Sequence, residues 1–244
     1  AALFSLLALV VYLPAGPLVG GPLERRAWGH GLLPAACFFA AMLSKETPVT
    51  LLAAFLFIDC WRWTHAAERP SIVSWLWRRT WRYYAPLLAA FGVYMAMRIN
   101  ACGLMESAKH TSPVVNPLMT ATVAERIVTP FVLFGKYIML FLWPRVLSAD
   151  YSAPSLMPVS DPLASGALLG ILFAALLVIV LVRAWKRWPS LALALALFVC
   201  AYGLIANVLR IGTIFGERLF YWPSVFAVMV VGWIFEYYRG IHAH

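Results

Sequence analysis

The chain has 244 residues, 63% of them hydrophobic and 12% charged, with a formal net charge of +9 and a mean hydropathy of +0.83. Soluble domains run at about half apolar and a quarter charged, so this composition excludes a water-soluble domain, a disordered chain and a disulfide scaffold. The basic residues gather in short clusters between apolar runs, which is how a membrane protein sets its orientation rather than how a protein grips nucleic acid.

A polytopic all-α membrane protein is the predicted class, because a helix needs about 20 largely apolar residues to cross the hydrocarbon. Apolar runs at about 1–13, 27–44, 48–62, 84–101, 165–183, 190–209 and 222–238 read as seven spans within one embedded domain, 1–244, the first span partial. The opening Ala1-Ala2-Leu3 carries no Met and no basic segment, and its run stops at Leu13, which reads as a chain cut inside a helix. Glu24-Arg25-Arg26, the stretch 62–82, Arg183 to Arg187, and Arg239 are the basic clusters, all cytoplasmic by the positive-inside rule.

Between the second and third runs both flanks want the same side, so the stretch 32–58 must be a hairpin. Its tip is Ser44-Lys45-Glu46-Thr47-Pro48, with Pro48 opening the second arm, where a missing N–H costs nothing. Farther on, residues 70–84 interleave Trp and Tyr with Arg. As a helix they gather Arg78, Arg79 and Arg82 on one side and Trp77, Trp81 and Tyr84 on another, the pattern of an interfacial helix on anionic lipid.

The segment 103–163 must start and finish outside, yet it holds a helix-like run from Thr120 to Trp143. Thr122, Glu125, Arg126, Thr129 and Lys136 form one stripe of that helix. Parity makes it an amphipathic helix, interfacial or re-entrant, bent at Pro130. The last outer loop, Arg210 to Pro223, brings Arg210, Glu217 and Arg218 to the same face as Lys45 and Glu46.

Charges at membrane depth are costly unless paired or wetted, which makes these pairs the candidates for function. Lys45 and Arg218 suit a lipid-linked phosphate, Arg as a bidentate fork and Lys as a point charge. Glu46 and Glu217 would orient the neighbouring cations. The bland alternative is that each pair is a headgroup-layer charge or ties hairpins together. Asp150 can equally be a turn cap, Tyr221 equally part of an interfacial aromatic belt, and His110 a solvated loop residue. Cys37, Cys60, Cys102 and Cys200 lack metal or redox spacing and read as packing residues. No metal site, nucleophile elbow or glycine-rich phosphate loop is present in the pattern, and no cofactor is indicated.

Several stretches taken together carry a resemblance: Leu43-Ser44-Lys45-Glu46, Asn116-Pro117 with Ala121-Thr122 and Arg126, Trp143-Pro144 followed by Leu147-Ser148-Ala149-Asp150-Tyr151-Ser152, and Phe215-Gly216-Glu217-Arg218-Leu219-Phe220-Tyr221-Trp222-Pro223-Ser224. They resemble the transmembrane, tetratricopeptide-repeat-containing O-mannosyltransferases and their bacterial relatives, over roughly residues 40–60 and 115–225. The resemblance implies a C-type glycosyltransferase that takes sugar from a polyprenyl-phosphate donor to a protein or other acceptor, on the extracytoplasmic side of a membrane such as the bacterial inner membrane. It also implies catalytic carboxylates in a loop upstream of Ala1 and helical repeats beyond His244, so that the catalytic base is not among these residues. Lys45, Arg218 and Arg126 would then hold the lipid phosphate, with Glu46, Glu217, Asp150 and Tyr221 accessory. The sugar, the acceptor and any divalent metal are not legible. Two other readings use the same features: a transporter or flippase for an anionic or lipid-linked solute, although the matched halves such proteins carry are not visible, and a structural subunit docked through small residues such as Ala192 to Ala196.

Overall fold

The computed structural model describes residues 1–13, 31–66, 69, 71–102, 112–145, 147–148, 151–208 and 212–242. The clusters at 24–26, His110, Asp150 and Arg210 lie outside the described residues. Among those described, regular structure is entirely helical. The chain falls into two compact units, Ala1–Leu104 and Met105–His244.

The first unit contains α1 (Ala2–Tyr12), α2 (Leu32–Ser44), α3 (Leu51–His65), α4 (Ile72–Arg79) and α5 (Ala85–Cys102). The break foreseen at Lys45-Glu46 is where α2 ends; a single 3-10 turn, Thr47–Thr50, with Pro48 in its first positions leads into α3. The arms fold back so that the Phe38 and Phe55 rings lie 6.4 Å apart, and Tyr12 of α1 reaches Phe55 at 4.4 Å. Ser71 caps α4, accepting from the Ser74 N–H, and a π turn, Thr80–Tyr84, carries α4 into α5. Trp77 and Trp81 stay exposed and meet edge to face, as an interfacial helix requires. Arg79 departs from the predicted basic face: it turns inward while Arg78 remains outside. A buried carboxylate draws it in, as shown below.

The second unit contains α6 (Val123–Leu142), α7 (Ser165–Arg187), α8 (Pro189–Gly203) and α9 (Glu217–His242). The foreseen outer helix is α6, started by a capping box in which Thr122 Oγ1 accepts from the Glu125 N–H and Glu125 Oε2 accepts from the Thr122 N–H at 2.7 Å. These bonds hold the Glu125 carboxyl below its usual range. Thr122 and Glu125 therefore serve the helix end rather than a polar stripe. Thr129 also leaves the stripe: it is buried, and its hydroxyl accepts from the Val159 N–H at 2.9 Å.

Helices α6 and α7 meet through glycines. A methyl group added at Gly170 would lie within bonding distance of the Phe131 carbonyl oxygen, and one at Gly135 would press on Gly170. Gly170→Ala should therefore force the two helices apart and lower stability by about 1–3 kcal/mol, the usual cost of overpacking. A melting temperature in detergent unchanged from wild type would contradict this contact.

A single residue, Trp188, joins α7 to α8, and Pro189 opens α8. Trp188 sits 5.4 Å from Trp233 of α9, which stacks on Tyr237. Along α8 every residue from Leu191 to Phe198 is buried, with Ala192, Leu195 and Ala184 forming a core joined by Leu177, Val180 and Trp233. The small-residue stretch at 192–196 is thus consumed by packing within its own unit.

Two boundaries differ from the sequence reading. The run 190–209 is helical only to Gly203, because the chain turns to place Asn207, at φ 57°, in the left-handed region that Asn tolerates. The last helix begins at Glu217 instead of 222, so Glu217, Arg218 and Tyr221 occupy its first turns and are not loop residues; Pro223 lies inside the helix. A carboxylate suits that first turn, since the helix dipole is positive there.

Among the described residues two helices are long and apolar enough to cross a membrane, Ser165–Arg187 and Glu217–Gly240, with only 11% and 22% of their apolar windows buried. Ala2–Tyr12, Leu32–Ser44 and Pro189–Gly203 are apolar but shorter. At 1.5 Å per residue these three span roughly 16–23 Å, less than the ~30 Å of hydrocarbon. The seven expected spans are therefore matched in length and composition by two.

Candidate functional site

In the second unit three connecting segments are tied together at one end. Ala153 N–H donates to the Val114 carbonyl at 2.9 Å, and Ile214 N–H to the Val115 carbonyl at 3.3 Å. Two buried asparagines close the knot. Asn116 Nδ2 donates to Asn207 Oδ1 at 3.3 Å, Asn207 Nδ2 donates to the Ile214 carbonyl at 2.7 Å, and Asn116 Oδ1 accepts from the Leu118 N–H. Buried amides are stable only when so satisfied. The Asn116-Pro117 element thus works as a tie between loops.

On this platform stands the charged cluster. Glu217 Oε1 accepts from the Tyr151 hydroxyl at 2.6 Å and from the Ser148 N–H at 3.0 Å. Tyr151 is buried; burial first, then the Glu217 carboxylate, raises its hydroxyl above the ordinary phenol range. Tyr151 meets Phe215 edge to face at 4.7 Å, and Phe215 stacks on Tyr137 at 4.1 Å. The Tyr137 hydroxyl accepts from the Gly216 N–H and lies 3.2 Å from the Gly216 carbonyl, which locks the residue preceding Glu217. Lys136 Nζ hangs 4.7 Å from the Tyr151 ring centroid and 5.1 Å from that of Phe215. Burial pushes the Lys136 ammonium below its usual range, and the two ring faces attract its charge in place of a carboxylate.

Arg218 is exposed with no ion-pair partner among the described residues, and Tyr221 is exposed on the same turns. Glu217 was expected to orient Arg218; its bonds go instead to Tyr151 and Ser148. The reason is geometric: consecutive helical residues point about 100° apart and do not face each other. Arg126 is also exposed, but ten residues from Lys136 along α6 means about 15 Å along the axis. The structure does not gather it into this cluster.

Lys45 and Glu46 belong to the first unit. Lys45 is exposed and unpaired among the described residues, whereas Glu46 Oε1 accepts from Arg98 Nη1 at 2.6 Å, with the Tyr94 hydroxyl 3.3 Å from the same nitrogen. Glu46 therefore fastens the α5 end to the hairpin tip rather than orienting Lys45. An arginine in the last turns of an apolar helix was the signal for this bond.

Sequence reading also missed the strongest electrostatic feature of the first unit. Asp59, 1% exposed in α3, accepts from the hydroxyls of Tyr12 at 2.6 Å and Tyr84 at 2.8 Å, and from Arg79 through Nε at 2.8 Å and through Nη2. Arg62, 3% exposed, lies 3.7 Å from the carboxylate and donates to the Leu13 carbonyl, while its Nε and Nη1 have no hydrogen-bond partner. The Arg79 guanidinium also lies over the Tyr83 ring at 4.2 Å. One carboxylate thus holds α1, α3 and the α4–α5 junction. A lone acid within an apolar run, followed by arginines, was the available sign.

Comparison with family models, with curated proteins and with solved structures finds no match. The site therefore stands on its own geometry. Among the described residues no group of three or more His, Cys, Asp or Glu could hold a metal ion. The cluster in the second unit sets a cation over ring faces beside a carboxylate–hydroxyl pair: Lys136 lies over Tyr151, whose hydroxyl donates to Glu217, and the exposed Arg218 follows Glu217 in α9.

Proposed function

We propose that this chain is the membrane-embedded part of a C-type glycosyltransferase that takes sugar from a polyprenyl-phosphate donor on the extracytoplasmic face, in a bacterial inner membrane. The carrying observation is the cluster of Lys136, Tyr151 and Glu217 at the knotted end of the second unit, with Arg218 next along α9, opposite the Trp188 elbow and its neighbouring Lys186 and Arg187. By the positive-inside rule that elbow is cytoplasmic, which assigns the cluster, and Lys45 by the same rule, to the other face.

In such a reaction the acceptor hydroxyl attacks the anomeric carbon, a carboxylate takes its proton, and the sugar–phosphate bond breaks with charge developing on the phosphate. The part of this chain is the last step: Lys136 and Arg218 neutralise the departing lipid phosphate, and Glu217 keeps Tyr151 and the 148 backbone in register. The seven-span arrangement, with the short helices embedded as well as the two long ones, belongs to the same proposal.

Sidedness tests it. In a cysteine-free background, Lys45→Cys and Arg218→Cys should both react with a membrane-impermeant maleimide applied to intact cells. Labelling of one only after the membrane is opened removes the shared face and with it the transferase reading.

A further inference from the structure

In the first unit the Asp59 cluster sets two guanidiniums against one carboxylate, so positive charge is left uncompensated where water is scarce, which is costly. The two cations are not served alike. Arg79 grips the carboxylate through Nε at 2.8 Å and through Nη2, and its side chain keeps 13% of its surface exposed. Arg62, on the same helix as Asp59 and one turn on, stands 3.7 Å away with Nε and Nη1 unbonded and almost no exposed surface. It is a reserve partner, near enough to take the carboxylate oxygens if Arg79 leaves. Little besides Arg79 ties α4 to the unit, since Trp75 is the buried residue of that helix. Behind it the α-helical ladder is interrupted at Thr80–Tyr84, where the Ala85 N–H bonds back to the Thr80 carbonyl, and such π turns recur at functional points of helices. Ile72, Val73, Leu76 and Trp77 of α4 stand exposed, as does Arg78.

We propose that α4 is a latch released by anionic lipid: it turns about the π turn, Arg79 passes from Asp59 to a lipid phosphate of the cytoplasmic leaflet, and Arg62 takes the vacated carboxylate. In the released arrangement each guanidinium has its own anion, which the latched one does not provide. The Tyr12 and Tyr84 hydroxyls keep their acceptor throughout. The ligand shifts the balance because only the released arrangement offers it Arg79. Lipid is the partner because α4 leads through the π turn directly into the apolar α5, which puts its tryptophans and arginines at headgroup depth on the basic, cytoplasmic side. The inference rests on the membrane half of the proposed function and not on sugar transfer.

The test places spin labels at the exposed Val73 of α4 and Leu56 of α3 in the intact, cysteine-free protein and measures their separation by double electron–electron resonance in nanodiscs. Phosphatidylcholine should give one distance. Adding phosphatidylglycerol should bring a second population displaced by about 5–10 Å, the travel of the free end of a helix about 12 Å long, and inorganic phosphate over phosphatidylcholine should not. Arg79→Gln should show the second population in phosphatidylcholine alone. Arg62→Gln should lose it even with phosphatidylglycerol, because release then strands Asp59. A second pair, Leu56 with the exposed Val93 of α5, should stay fixed throughout. One unchanged distance for wild type in both lipids overturns the latch, and this comparison decides even where a variant fails to fold. Release undiminished in Arg62→Gln, or a Leu56–Val93 distance that moves as well, overturns the exchange at the π turn, and release by inorganic phosphate overturns lipid as the partner. A latch that responds to lipid in a protein that transfers no sugar refutes the transferase reading alone.

Discussion

Asp59→Ala should be the most damaging single substitution in the first unit, lowering stability by about 3–5 kcal/mol, because it strands two buried guanidiniums without their counter-charge. The same change deprives the Tyr12 and Tyr84 hydroxyls of their acceptor. The ranking of partners is a finer check. Arg79 makes two hydrogen bonds to the carboxylate, whereas Arg62 stands 3.7 Å away with two nitrogens unpaired. Arg79→Ala should therefore cost markedly more than Arg62→Ala, which leaves a neutral Asp59–Arg79 pair behind. Thermal unfolding in mild detergent, followed by tryptophan fluorescence, measures all three. An Asp59→Ala protein that melts with wild type would mean that the cluster holds nothing together.

The second large effect concerns chemistry. On the proposed transferase reading, Lys136→Ala should reduce turnover with a polyprenyl-phosphate sugar by about 10²–10³-fold, the usual loss when one preorganised charge facing a developing anion is removed. Lys136→Arg should recover part of it, since the charge returns while the fit between Tyr151 and Phe215 does not. Glu217→Gln keeps an acceptor for Tyr151 and the Ser148 N–H, so its loss should be smaller than that of Glu217→Ala. Each variant must retain the elution profile and helical circular dichroism of the parent. Full turnover in Lys136→Ala with that profile intact would take the lysine out of the site and leave the aromatic cage a packing motif.

What the sequence disclosed and what it hid divide by distance along the chain. The break at Lys45-Glu46 and the turn between the runs 165–183 and 190–209 were visible because each is written in a few adjacent residues: a proline at a first turn, a basic run between apolar ones. The bonds that build the sites join residues far apart, 47 positions from Tyr12 to Asp59, 66 from Tyr151 to Glu217 and 91 from Asn116 to Asn207. No periodicity records such pairs. Lys136 shows the limit well: its place on a polar stripe was legible, but only the arrival of Tyr151 and Phe215 from other segments gives that position a cage. The opposite error came from hydropathy at the last helix. The apolar run was read as starting at 222, although α9 begins five residues earlier, at Glu217.

The paired asparagines have a consequence for how any ligand enters. With Asn116 and Asn207 bonded to each other and to the backbone of both flanking segments, the rim beside Glu217 is set before anything binds. On the proposed reading, a ligand arriving there inserts into a preorganised frame, and little ordering entropy remains to be lost. Selectivity at this rim must then come from the shape and charge of the incoming molecule, not from loops folding down around it.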